Sequence, residues 1–216
     1  MRHVTRFTAT ALLSVVLLIP VEAFAQGPTY GVKAGLDVSN VSLSTTTTSD
    51  GLTLSPNSKT GFIIDAFAGK DFTRRAGLVV EFAWAQGGTT VNLSGSGFSG
   101  SQDIRADYLS IPVLGRVNVP AGVTTLHVFF GPTFAFKTGD SQSFVANGVP
   151  MQNNVPLKGH DTGITAGAQF DLHKFLVDLR YTWGLVDISQ NPKPGDPEVK
   201  TRQFAIMFGI DLAKKK

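Results

Sequence analysis

The strongest constraint on this chain is a two-residue rhythm held over segments too long for ordinary strands. Leu78, Val80, Phe82 and Trp84 fall on one face, and Val79, Glu81, Ala83 and Ala85 on the other. Phe175, Val177, Leu179, Tyr181, Trp183 and Leu185 oppose Asp178, Arg180, Thr182 and Gly184. Arg202, Phe204, Ile206, Phe208, Ile210 and Leu212 oppose Gln203, Ala205, Met207, Gly209 and Asp211. The same holds for Thr162, Ile164, Ala166, Ala168 and Phe170 against Asp161, Gly163, Thr165, Gly167 and Gln169. Alternation of this kind marks strands with one apolar and one polar or small face. Eight such segments are expected, over 29–41, 59–71, 77–91, 103–118, 124–137, 158–171, 175–187 and 199–212. Most are about 13 residues or longer. Soluble strands average ~5–6 residues, and a tilted membrane-spanning strand needs ~9–11.

The connections alternate as well. Residues 72–76, 119–123 and 172–174 are short links, whereas 42–58, 92–102, 138–157 and 188–198 are long and rich in Ser, Thr, Gly, Asn and Pro. Short periplasmic turns and long outer loops are the habit of outer-membrane barrels. An even strand count places both ends of the barrel on the short-turn side.

Met1 to Ala25 reads as a signal peptide, leaving 26–216 as a single barrel domain. Arg2 and Arg6 form a positive start, Ala9 to Val21 an apolar run of about 13 residues, and Ala23-Phe24-Ala25 a small-x-small cleavage site before Gln26. The run falls short of the ~20 residues a spanning helix needs. Cleavage between Ala25 and Gln26 would remove Arg2, Arg6 and Glu22, taking the formal charge from +3 to +2. A nearly neutral chain makes no case for nucleic acid. With no cysteine, disulfides are excluded. The remaining chain offers no second long apolar segment, so a closed β-barrel is the one way it can cross a membrane with every backbone group paired.

A soluble eight-stranded barrel of lipocalin type is the competing fold, with the apolar face turned inward. Charged residues are only 16% of the chain, and the polar face is dominated by Gly, Ala and Thr rather than the Lys and Glu of a wet surface. The apolar face is rich in Phe, with Tyr30, Trp84, Tyr181 and Trp183 near segment ends, as in interfacial aromatic belts. The expected fold is therefore all-β: an eight-stranded, antiparallel, up-and-down transmembrane barrel. Several stretches strengthen this: 30–36 (YGVKAGL), 77–82 (GLVVEF), 108–114 (YLSIPVL), 131–134 (GPTF), 161–164 (DTGI) and 179–185 (LRYTWGL). Together they resemble the PorT-like class of small outer-membrane β-barrels of Gram-negative bacteria. The resemblance implies an outer-membrane address and assembly by the barrel assembly machinery, and no single function. The chain departs from the aromatic ending of many such barrels: its last apolar residue is Leu212, followed by a Lys tail.

With the apolar face outward, the lumen receives Lys33, Asp37, Asp65, Glu81, Arg116, His127, Lys137, Asp178 and Arg180. An eight-stranded barrel is just wide enough for side chains to fill, so a plugged polar core is expected over a narrow conduit. No catalytic, cofactor or metal site is expected. His127, His160 and His173 lack metal-ligand spacing, and no Ser stands two residues beyond His127 or His160. Gly95 to Gly100 fits G-x-G-x-x-G, but without the strand and helix a dinucleotide needs; Asn40 and Asn92 head glycosylation patterns that carry no information in a bacterial chain. The expected partners are outer-membrane lipid and a surface ligand or protein held by loops 42–58 and 138–157. Within the latter, Asn147-Gly148 could turn a hairpin. The expected role is a surface scaffold or binding and adhesion module, with a narrow channel and then a lipid-modifying enzyme as alternatives.

Overall fold

The computed structural model describes residues 27–48, 51–122, 124–152, 155–190 and 197–213. The expected signal peptide, its Ala25–Gln26 cleavage point and the Pro-rich part of loop 188–198 lie outside them. Nine strands appear: β1 (Thr29–Leu43), β2 (Thr53–Asp71), β3 (Ala76–Gly95), β4 (Phe98–Ala121), β5 (Thr124–Ala146), β6 (Val149–Met151), β7 (His160–Leu172), β8 (Phe175–Gly184) and β9 (Val199–Asp211). Every pairing is antiparallel. β1 pairs with both β2 and β9, and β5 with both β4 and β7. The eight long strands thus close a ring, and β6 only pairs with the far end of β5.

The closing seam runs from Gly31↔Asp211 to Leu43↔Val199. At Gly35 the backbone comes so near β9 that a Cβ would overlap the Ile206 carbonyl oxygen. Glycine is required there by close approach.

Burial alternates as the sequence pattern demands. Outward, Phe62, Phe130 and Phe208 are each 63% exposed; inward, Asp37, Glu81, Leu114, Asp178 and Met207 are sealed. An apolar outside around a charged inside is the reverse of a soluble barrel. Phe67 and Phe129 are exceptions to the outward Phe face: both are buried in the lumen.

Four strands run further than the alternation indicates. Residues 92–102, expected as a long loop, continue the β3–β4 ladder from Val91↔Gln102 to Gly95↔Phe98, with Gly97 at φ 75° in the turn. β2 begins at Thr53 rather than 59, so only the first part of loop 42–58 is loop. β5 runs on through 138–146 and folds back as β6 across Asn147 (φ 48°) and Gly148 (φ 79°). Two successive positive φ values make the type I′ turn of a tight hairpin. These extensions rise beyond the apolar band, where polar and small residues outnumber the apolar ones on both faces and the rhythm loses its contrast. In the other direction, β8 stops at Gly184 and not at 187. Leu185 there donates its N–H to the Thr162 carbonyl, and Ile188 turns inward. Pro112 does not interrupt β4. It sits in a gap of the β3–β4 ladder, between Val80↔Val113 and Ala83↔Ser110, so its missing N–H costs little.

Candidate functional site

The lumen is built in layers because each strand climbs through the same order of side chains. β3 contributes Val79, Glu81, Ala83 and Ala85 in succession, and β2 runs Phe67, Asp65, Ile63 in the same direction. At the short-turn end Arg116 donates to Asp71 Oδ1 from Nη2 (2.6 Å) and Nε (3.1 Å). Beside it His127 Nδ1 lies 2.6 Å from Asn118 Oδ1, and Nε2 3.0 Å from Asp171 Oδ2. Above this polar floor comes an apolar layer of Phe67, Val79, Leu114, Phe129 and Leu176.

The next layer is a charge cluster. Lys33 Nζ donates to Glu81 Oε1 (2.7 Å) and Asp178 Oδ2 (3.0 Å), and stands 5.1 Å from the Phe67 ring centre. Arg180 grips both acids: Nε and Nη2 reach Asp178 at 2.9 and 2.5 Å, and Nη1 pairs with Glu81 Oε2. Asp65 Oδ2 lies 3.0 Å from Lys33 Nζ, yet neither Asp65 oxygen accepts an aligned hydrogen bond among the described residues. It is held by charge rather than by hydrogen-bond geometry. Two cations thus face three carboxylates, with every side chain at most 6% exposed. Desolvating five charges is expensive, and only mutual pairing offsets it. A second apolar layer of Ile63, Ala83, Ala85, Ala205 and Met207 seals the cluster from above.

Of the residues assigned to the lumen from sequence, Lys33, Asp65, Glu81, Asp178 and Arg180 meet in this cluster. Arg116 and His127 belong to the floor. Asp37 is fully buried but separate, with Oδ2 accepting from Gln203 Nε2 at 3.1 Å. Lys137 lies outside the plug, half-buried, 2.8 Å from Asp140 Oδ1. Sequence reasoning missed the apolar lumen layers. Their signal was parity: Leu114 shares a face with Arg116, Phe129 with His127, and Phe67 with Asp65.

Above the second apolar layer the lumen opens into a cavity of about 280 Å³. Its roof is made by loop residues. Leu157 forms a bridge with Ser189, the Ile188 N–H donates to the Val199 carbonyl, and Lys158 Nζ donates to the Asp187 carbonyl at 2.6 Å. Leu157, Ile188 and Ala106 pack as one buried cluster with Ile104, Tyr108, Val155 and Val199.

On the extension outside the membrane band, the Asp103 carboxylate ties β4 to β2 and β3, while Asp140 pairs within β5. Hydrogen bonds from Lys137 and Gln142 hold the Asp140 carboxyl below its ordinary range. Burial would raise Asp103, but hydrogen bonds from Lys59 and Thr90 outweigh it and hold that carboxyl low as well. Among the described residues no group of three His, Asp or Glu side chains is arranged to hold a metal ion.

A family model described as "Outer membrane protein beta-barrel domain" matches residues 24–190. Among solved structures, the outer membrane protein OprG from Pseudomonas aeruginosa is 12% identical with a TM-score of 0.50, covering 88% of this chain and 98% of OprG. Ail, the attachment invasion locus protein of Yersinia pestis, is 15% identical with a TM-score of 0.46, covering 87% of this chain and all of Ail. Neisserial surface protein A is 12% identical with a TM-score of 0.43, over 87% of this chain and all of its own. At 12% identity the OprG likeness speaks for the fold alone. No curated protein matches the sequence.

Proposed function

Since the chain belongs to the outer membrane protein beta-barrel domain family and resides in the cell outer membrane, we propose that it acts as a surface scaffold or binding module rather than as a pore or an enzyme. We read it further as a PorT-like member, made with a signal peptide over residues 1–25 and delivered to lipid by the barrel assembly machinery. The observation that carries this reading is the sealed stack of layers below the cavity. Five buried charges sandwiched between two apolar layers fill the bore. The polar strands β2 to β5 then continue outward and present loops to the exterior, where binding on a rigid barrel is concentrated. Against an enzyme, both His127 ring nitrogens face Asn118 and Asp171, so among the described residues neither is turned to a Ser.

Reconstitution in planar bilayers tests it. The expected result is no stepwise conductance at either polarity. Reproducible single-channel steps would replace the scaffold with the narrow-channel reading. Turnover of phospholipid or lipid A by the same sample would replace it with the enzyme.

A further inference from the structure

We propose that the outer half of the lumen is a binding site for one small, uncharged, hydrocarbon-like molecule. The inference goes beyond the scaffold role and does not rest on it. Its ground is the contrast between the cavity wall and the rest of the lumen. The wall is predominantly apolar, formed by side chains such as Ala85, Ala106, Tyr108, Leu157, Ile188 and Val199. Those residues come from the barrel wall and from two outer loops, so the site exists only in the closed barrel. The volume of about 280 Å³ is about nine times the ~30 Å³ a water molecule occupies in the liquid. That is room for a bicyclic aromatic or a medium-length alkyl chain.

Charge chemistry sets the ligand class. Among the described residues two charged side chains line the cavity, and both are engaged. Asp161 accepts from Thr201 Oγ1 (2.6 Å) and the Thr162 N–H (2.7 Å). Arg202 Nη1 donates to the Gly184 and Thr201 carbonyls at 3.0 and 2.8 Å. An ionised ligand would give up its hydration here without a free counter-charge, at a cost of several kcal/mol. An uncharged apolar molecule gives up little, and a cavity walled mainly by apolar surface takes up small hydrocarbons. The Thr133, Thr165 and Thr182 hydroxyls form a hydrogen-bonded row at 2.6 and 2.8 Å beside it, and Thr133 and Thr182 line the cavity. They can serve a single polar group on the ligand. Below, the charge cluster closes the way to the periplasm, so exchange occurs toward the outer side.

The test uses the mature barrel in lipid nanodiscs with labelled Ile, Leu and Val methyls, titrated with indole, an uncharged bicyclic of suitable size. Saturable shifts are expected at Leu157, Ile188 and Val199, with lipid-facing Val38 and Ile64 unmoved. Ala106→Trp, which fills the cavity from β4, should weaken binding by more than about tenfold. Ile188→Trp fills it from a loop and should do the same without touching the ladder. A boiled-against-unboiled gel shift certifies that each variant is a closed barrel. Shifts that rise without saturating, that spread over the lipid-facing methyls, or that persist at unchanged affinity in a folded filled variant would overturn the proposal.

Discussion

The two halves of the lumen solve opposite problems with the same strands. The inner half packs five charges between two apolar layers, above a polar floor. The outer half is walled mainly by apolar side chains around a void. The difference lies partly in the length of the inward side chains. In the inner half they are Lys33, Glu81, Arg180, Phe67 and Phe129, long enough to meet across an eight-stranded bore. In the outer half many are short, among them Ser39, Gly87, Thr89, Ala106 and Ser110, and they leave a void among the apolar side chains of the wall. Residue size is thus one reason a ring of constant strand number becomes a plug in one half and a pocket in the other.

If the inner half owes its stability to mutual charge pairing, Lys33→Met should cause the largest loss. It strands three carboxylates with Arg180 alone, and breaking a buried pair costs ~3–5 kcal/mol. Urea unfolding in lipid vesicles measures it; a loss near zero would mean the cluster is not needed to hold the plug. Leu114→Ala comes next, expected at ~2–5 kcal/mol, because Leu114 is fully enclosed and its removal opens a void. Ile188→Ala sharpens the contrast. That side chain already borders open space, so less new void forms and the cost should fall at the low end of the range, about 2 kcal/mol. Equal costs at 114 and 188 would erase the distinction between a packed and an unfilled half.

The smallest effect concerns the outer extension. Asp140 and Asp103 have depressed folded values, so their stabilisation is complete above the ordinary carboxylate range and is lost as pH falls below it. Both are substantially exposed, so salt should weaken the effect further. Corrected for the intrinsic pH dependence of exchange, protection along the β5–β6 hairpin should therefore fall below about pH 4, with that of β1 and β9 unchanged. Acid loss of protection at the β1–β9 seam before the hairpin would show that the acid-labile element is the plug.

Much of this was legible in the chain. Parity assigned the inward face of β8 and β9 correctly, because Phe, Val and Ile alternate there with Asp, Arg, Gly and Ala. It also carried Lys33, Asp65, Glu81, Asp178 and Arg180 to the lumen. It failed at the outer strand ends, where 92–102 was expected as loop. Polar residues on both faces give the same pattern for a wet strand as for a coil. The Asn147-Gly148 turn was legible nonetheless, since its backbone demands are local.

By itself the sequence determined that the chain closes into a membrane barrel and which face meets lipid. These follow from period, segment length and residue polarity, all properties of neighbours along the chain. Only the tertiary structure decided which charges pair, since Lys33, Asp65, Glu81 and Asp178 come from four strands whose register aligns them at one height. It alone decided that the outer lumen is hollow. A void is the space left by side chains from separate strands and loops, and no local pattern records what fails to meet across a ring.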